Sequence, residues 1–352
     1  MRERFDLRSL GLPAIAAPMA GGPTTPELAA AVAGAGGLGV LAGGYRRAEE
    51  LEGLLRAARR LGPGPLGVNL FVPGADDADP AALAEYGARL RPEFEEHGVE
   101  PGEARWDDDD WAAKLELVAD ERPEVVSFTF GLPDAAIVRD LGGAGITVLA
   151  TITEVEDALA AARAGVHGLV VQGPKAGGHR GTFSAGAEPG TASLASLLDA
   201  LLAEPELTGL SIVAAGGIAS AEVVSAALAR GAAAVQLGTA LLRSEEAGTS
   251  ETHRAALAGG EFERTEVTRA FSGRPARGLF NGFLGRHSAH APAAYPQVHH
   301  LTAPLRADAV RRGDAHGTSL WAGTGFASAE DGPAARILTG LAGPDALAEA
   351  RG

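Results

Sequence analysis

Gly168-Leu-Val-Val-Gln-Gly-Pro-Lys-Ala-Gly-Gly-His-Arg-Gly181 is a short apolar run followed at once by a glycine-rich loop that carries one histidine. The apolar residues read as a strand. The glycines after them leave main-chain N–H groups open to close approach by a flat or phosphorylated ligand. His179 is the only side chain in the loop whose unperturbed pKa lies near neutrality, so it can exchange a proton at working pH. Taken alone, the loop also reads as a flexible surface segment with an exposed histidine, and the surrounding chain has to separate the two.

Working outward, seven more short β-rich runs recur with amphipathic helical stretches between them. They are Ala14–Ala17, Gly39–Leu41, Leu66–Leu70, Val125–Phe128, Thr147–Ala150, Ile212–Ala215 and Ala233–Leu237, and the quoted run adds Leu169–Val171. Strands alternating with helices predict a parallel sheet, and eight such strands close a TIM (β/α)8 barrel. Helix starts agree: Thr24-Thr-Pro-Glu27 offers an N-cap with proline in the first turn, and Thr153-Glu-Val-Glu156 reads as a capping box. The connection from Leu70 to Val125 is too long for one helix. It holds a helical stretch from Pro80 to about His97, then an acidic run, Trp106-Asp-Asp-Asp-Asp-Trp111, that reads as a solvated helix start. Beyond Leu242 the strand–helix rhythm stops. The expectation is an α/β fold with a barrel over 1–242, a small helical and irregular domain inserted after strand eight at 243–317, and a helical segment at 318–352 that packs back on the barrel.

Composition narrows the function. The chain has 352 residues, 46% apolar, enough for one large core. A formal charge of −15 without any Lys/Arg cluster argues against a nucleic-acid or anionic-membrane surface. There is no apolar stretch of membrane-spanning length and no signal-like apolar core near the first residues, so a cytoplasmic enzyme is expected. The absence of cysteine removes thiolate nucleophiles, disulfides, Cys-ligated zinc and iron–sulfur clusters.

Barrel chemistry gathers where strands end. Those ends supply Pro18 and Met19, Asn69, Thr129, Gln172 with the His179 loop, Gly216-Gly217, and Gln236-Leu237-Gly238-Thr239. Carboxylates are nearly missing from this set, so no metal site is expected. Backbone amides and neutral side chains suit a large planar polar ligand with its own phosphate. The glycines after strands seven and eight stand where this fold commonly holds a phosphate, with the Thr239 hydroxyl beside them. Tight turns alone would also explain the glycines, and single strand-end amides such as Asn69 and Gln172 are often structural.

Ala17-Pro-Met-Ala-Gly-Gly22, Asn69, the Ala176-Gly-Gly-His-Arg-Gly181 run, Ala215-Gly-Gly-Ile218, Val235-Gln-Leu-Gly-Thr239 and Phe271-Ser-Gly-Arg-Pro-Ala-Arg277 together resemble the FMN-dependent nitronate monooxygenases, class I in particular. The resemblance runs from about Leu12 to Trp321. It implies an FMN barrel that oxidises alkyl nitronates of the propionate 3-nitronate type with O2, giving a carbonyl compound plus nitrite or nitrate. It implies His179 as the catalytic histidine, and Asn69, Gln172, Gly177, Gly216, Gly217, Gln236, Leu237, Gly238 and Thr239 around the cofactor, with Pro18 and Met19 along the flavin ring. The small-molecule nitronate and O2 are the expected partners, with neither nucleic acid nor membrane, in a monomer or homodimer. Two positions depart from the pattern: Thr129, where a histidine is expected, and Lys175, where a glutamate is usual.

If neutral, His179 could take the α-proton of a nitroalkane; if protonated, it could hydrogen-bond the nitro oxygens. Arg180 could favour an anionic substrate, although an adjacent arginine more often pairs structurally. Phe271, Phe280, Phe283 and Tyr295 are candidates to cap the pocket, and Ser272–Arg277 reads as a local salt-bridged turn. The rival reading is an NAD(P)H-dependent FMN enoyl-acyl-carrier-protein reductase or quinone reductase on the same barrel. A non-redox phosphate-binding barrel would need a Lys or Glu at the strand ends, and none is convincing.

Overall fold

A computed structural model describes residues 3–349. In chain order the barrel strands are β1 (Ala14–Ala16), β2 (Gly39–Ala42), β3 (Leu66–Phe71), β4 (Val125–Thr129), β5 (Thr147–Ile152) and β6 (Gly168–Gln172). After a two-residue strand outside the barrel, β7 (Gly178–His179), come β8 (Ser211–Ala215) and β9 (Ala234–Leu237). The eight barrel strands are all parallel, in the order β1-β9-β8-β6-β5-β4-β3-β2. A bridge from Ile15 to Leu38 brings β1 beside the start of β2, so the ring is nearly closed. Each expected strand is present with its ends shifted by one or two residues.

The connecting helices are α1 (Pro26–Gly34), α2 (Ala48–Leu61), α3 (Pro80–His97), α4 (Trp111–Glu121), α5 (Ala135–Gly143), α6 (Val155–Ala164), α7 (Leu194–Ala203) and α8 (Ala221–Ala229). Thr25 caps α1, its hydroxyl accepting from Leu28 N at 3.0 Å, with proline in the first turn. The second cap differs from expectation: α6 starts from Glu154, whose side chain makes no capping bond.

Alternation along the strands sorts the core into two layers. Ile15, Val40, Val170 and Val213 point inward with Leu7, Leu149 and Val125, filling the barrel. Their neighbours Leu41, Leu169, Val171 and Ala214 point outward into the layer shared with the helices. A two-residue period on strands buried on both faces gives continuous apolar runs, which is why these segments stood out in the sequence. Each such aliphatic side chain contributes about 1.5–3 kcal/mol on burial.

The acidic run is not a simple solvated helix start. Asp109 accepts from Tyr45 N at 2.8 Å, and Asp110 accepts from Ala48 N at 2.8 Å, at the start of α2. Asp109 also pairs at 2.8 Å with Lys114, which is 1% exposed. Burial raises the Asp109 carboxyl to about 6, against the pull of that ammonium. Helix-end N–H groups need acceptors, and here the loop before α4 supplies them to α2.

Beyond β9 the chain forms α9 (Glu251–Ala258), β10 (Thr265–Thr268), β11 (Ala276–Leu279), α10 (Gly282–His287) and α11 (Gln297–Arg312). The two strands here are not in the sequence reading. They join β7 in a three-stranded antiparallel sheet in which Ala276 pairs with His179. Leu90 and Phe94 of α3 share a second core with Phe271, Phe283, Leu301 and Leu305. Finally α12 (Ala334–Ala342) packs against α1 and α8, and α13 (Pro344–Glu349) against α8 and α12. No helix among the described residues is long and apolar enough to cross a membrane.

Candidate active site

The carboxyl ends of the barrel strands and the β10–α11 segment enclose a cavity of about 610 Å³. Pro18, Met19, Asn69, Gln172, Gly177, His179, Gly216, Gly217, Gln236, Gly238 and Thr239 all border it. Leu237 does not; its side chain is 1% exposed in the core, and its carbonyl accepts from Ala17 N. Among the described residues the lining contains no Asp, Glu or Lys, and its only formally charged side chain is Arg306.

One wall is built from glycine. Gly216 (φ +99°) and Gly217 (φ +74°) follow β8 in the left-handed region, which disfavours a Cβ. A Cβ on Gly217 would lie 2.7 Å from the Lys175 Cβ, and one on Gly177 would lie 2.5 Å from Gly323 N. The Thr239 hydroxyl accepts from Gly323 N at 2.9 Å. Main chain from four separate segments thus converges where the sequence suggested an anion, with no carboxylate to oppose it.

The floor is a chain of neutral polar groups. Asn69 Nδ2 donates to Ser127 Oγ at 2.9 Å and Thr129 Oγ1 at 3.0 Å, and Thr129 Oγ1 lies 3.2 Å from Thr151 Oγ1. Gln172 clamps the histidine loop: its Nε2 donates to His179 O at 2.9 Å, and its Oε1 accepts from Gly181 N at 2.9 Å.

His179 is partly buried in the cavity lining. Its Nε2 lies 2.8 Å from Ser272 Oγ, and Ser272 Oγ donates to Arg274 O at 3.2 Å. Phe130, Tyr295 and Trp321 surround the ring at centroid distances of 5.8, 6.0 and 5.4 Å. Desolvation, reinforced by the Arg274 and Arg306 guanidiniums, pushes the imidazole down to about 3, so it is neutral at working pH.

The arginines divide sharply. Arg180 is 1% exposed and donates to the Gly173 and Gln172 carbonyls, away from the cavity, so it is a loop staple with no access to substrate. Arg274 is buried over the Phe130 ring, 4.1 Å from its centroid, and donates to the Thr182 carbonyl. No ion pair is seen for Arg274 or Arg277 among the described residues, so the expected salt-bridged turn is absent. Of the aromatic candidates, Phe271 borders the cavity, Tyr295 stands behind His179, and Phe283 stacks on Phe271 in the second core.

Tyr45, Ser272, His299, Arg306, Trp321 and Gly323 belong to the cavity wall and were not singled out as site residues. Ser272 lay inside a quoted motif, and Ala322-Gly-Thr-Gly325 carried a glycine signal that went unused. Tyr45, His299 and Arg306 had none, because they come from distant segments.

A family model described as nitronate monooxygenase matches residues 7–342. A nitronate monooxygenase from Pseudomonas aeruginosa is 41% identical over 97% of this chain and 98% of that protein. One from Paraburkholderia phytofirmans is 38% identical over 97% and 94%. The crystal structure of a nitroalkane oxidase from Streptomyces ansochromogenes superposes with a TM-score of 0.93 at 43% identity, covering 98% of both chains. FabK from Thermotoga maritima shares the fold at 24% identity and a TM-score of 0.73, covering 98% of this chain and 97% of that one.

Proposed function

This chain belongs to the nitronate monooxygenase family, and we propose that its cavity holds FMN and oxidises alkyl nitronates with O2 to a carbonyl compound and nitrite or nitrate. The observation that carries this reading is one cavity in which His179 faces a glycine wall with no carboxylate in the lining. The residues fit a phosphorylated flavin. Gly177, Gly216, Gly217, Gly238 and Gly323 give the close main-chain approach a phosphate needs, and Thr239 adds a hydroxyl. Asn69, Gln172 and Gln236 are amides suited to the alternating donors and acceptors of a flavin edge. Pro18 and Met19 offer an apolar face for the ring.

When bound, the flavin supplies the electron chemistry, and the protein supplies position, exclusion and proton control. A nitronate arrives as the anion and needs no base. A neutral nitroalkane must first lose its α-proton, and of the described imidazoles in the lining, His179, His253 and His299, only His179 has a hydroxyl partner on a ring nitrogen. We assign the Ser272 hydroxyl hydrogen to Arg274 O, 3.2 Å away, so that Ser272 Oγ accepts from Nε2–H of His179. That tautomer leaves the Nδ1 lone pair as the base. Phe130, Tyr295 and Trp321 keep bulk water from the imidazole; burial is the main reason its basicity is low, and a bound anion offsets the smaller contribution of the Arg274 and Arg306 guanidiniums.

The test is aerobic turnover of propionate 3-nitronate without NADH or NADPH, followed by nitrite release, on protein whose heat-released flavin is identified by chromatography. The expected result is yellow protein, FMN rather than FAD, and nicotinamide-independent nitrite. Turnover that requires NAD(P)H would reject the proposal in favour of a reductase.

A further inference from the structure

We propose that Lys175 is a further cofactor-binding residue of this chain: its ammonium closes the glycine wall from the solvent side and pairs with the phosphate held there. The inference rests on the flavin reading and adds to it a full positive charge that the wall itself lacks.

Lysine is rare in this chain. Of the 30 Lys and Arg side chains, two are lysines, Lys114 and Lys175. Lys114 is 1% exposed and paired with Asp109. Lys175 is exposed, and among the described residues its ammonium has no hydrogen-bond or ion-pair partner.

The turn that carries Lys175 is fixed through its carbonyls. Ala176 N donates to Gly173 O at 3.2 Å, and Arg180 donates to the same oxygen. Arg277 Nε donates to Pro174 O at 3.1 Å, and Thr324 N donates to Lys175 O at 3.2 Å. The two neighbouring arginines thus hold carbonyls of the fold, and Lys175 holds none.

This turn is packed into the glycine wall. A Cβ on Gly216 would lie 2.9 Å from the Ala176 Cβ, and one on Gly323 would lie 2.6 Å from Lys175 O. A Cβ on Gly217 would lie 2.7 Å from Lys175 Cβ and 3.1 Å from Lys175 Cδ, so the lysine stem runs along Gly217. Gly216, Gly217 and Gly323 border the cavity, whereas Lys175 does not. The stem therefore flanks the wall, with its charge at the rim. Main-chain N–H groups carry only partial charges, and a phosphate gains from a cation beside them. Lysine suits that task as a compact point charge on a flexible stem, where arginine favours a fixed planar pairing.

Two measurements on the full-length chain, stripped of flavin, test this. In the first, FMN and riboflavin are titrated into the parent, Lys175→Arg, Lys175→Met and Lys175→Glu. FMN binding should weaken about three- to tenfold with Met and about ten- to hundredfold with Glu, and Arg should restore most of it, the size expected of an exposed charge contact. These ratios shrink toward one in molar salt, where screening acts within about 3 Å. Riboflavin, which lacks the phosphate, binds parent and variants alike. In the second, pyridoxal phosphate is added and trapped with borohydride. Its aldehyde condenses with a lysine amine, losing water, and the reduced imine stays on the peptide. The label should fall on Lys175, be blocked by FMN, and form much more slowly with pyridoxal, which has no phosphate.

If the parent binds FMN, an affinity indifferent to Lys175→Met and Lys175→Glu overturns the inference, as does an equal loss for FMN and riboflavin. Labelling of Lys175 that FMN does not block overturns it as well. A parent that binds neither flavin, yet takes the phosphate-bearing label at Lys175 in preference to pyridoxal, sinks the flavin reading and leaves the phosphate contact standing.

Discussion

His179 Nε2 and Ser272 Oγ lie 2.8 Å apart across 93 residues of sequence, so the imidazole that follows β6 is oriented by the segment between β10 and β11. The histidine also sits in the small antiparallel sheet opposite Ala276. The proposed base is therefore carried by a braced strand and not by a loose loop.

His179→Asn keeps the shape and one hydrogen bond but removes the base. Oxidation of neutral nitroethane should fall by about 10²–10⁴, the usual size of a general-base contribution, while ethyl nitronate, already ionised, loses much less. Initial rates on the two forms of the same compound check this, and equal rates of mutant and parent on nitroethane would refute the base role.

Ser272→Ala removes the acceptor that selects the tautomer. Loss of one such bond costs about 0.5–1.5 kcal/mol, or roughly two- to tenfold in nitroethane kcat/KM. The Ser272 oxygen favours the protonated ring, so its loss should move the acidic limb of the pH profile lower. A uniform loss on nitroethane and ethyl nitronate with an unmoved profile would mean that Ser272 only supports the fold.

Gly217→Ala places a Cβ at φ +74°, 2.7 Å from that of Lys175. The left-handed conformation costs about 1–2 kcal/mol for an L residue, and the wall must also shift. Purified variant protein should carry little flavin, read as the ratio of visible to ultraviolet absorbance, and should bind added FMN at least tenfold more weakly. Full retention of flavin would show that this wall does not hold the cofactor.

Buried His253 gives a stability signature. It is 7% exposed, its Nε2 has no hydrogen-bond partner, and burial lowers it to about 4. Its folded pKa lies below the unfolded value, so the unfolded chain binds the extra proton. Its contribution is intact above about pH 6.5 and is lost as pH falls toward 4. Against His253→Leu, the parent should lose about 1.4 kcal/mol of relative stability per pH unit in that window. Parallel denaturation curves for parent and variant at pH 7 and pH 5 would contradict the assignment.

The barrel was readable because its strands are buried on both faces. Runs such as Val125-Val126 and Leu169-Val170-Val171 have no polar interruption, and their spacing by helices leaves one common architecture. The glycine wall of the cavity was readable too, since Gly216, Gly217 and Gly238 directly follow barrel strands whose ends open on one face. What escaped was whatever depends on chain segments meeting late. Thr265-Glu-Val-Thr268 and Ala276-Arg-Gly-Leu279 are four-residue strands with charges and a glycine inside, too short for periodicity to register. Asp109 and Asp110 looked like a solvated acidic start, and only the packing of α2 beside α4 turns them into acceptors for Tyr45 and Ala48. Arg306 resembles any charge on a helix face until that helix is seen to roof the cavity. Arg180 gives the converse lesson: adjacent to the histidine in sequence, it points the other way and holds carbonyls.

Arg306, the one charged side chain of the described lining, roofs a cavity within a chain of net charge −15 and also sets how fast an anion can arrive. At distances beyond the mouth, an incoming dianion meets repulsion from the acidic exterior; only inside does it meet attraction. Added electrolyte shortens the reach of the outer field more than that of the enclosed one, since screening acts over about 8–10 Å of solvent at physiological strength. Capture should therefore quicken as ionic strength rises, the reverse of the steering seen when a surface and its ligand carry opposite signs.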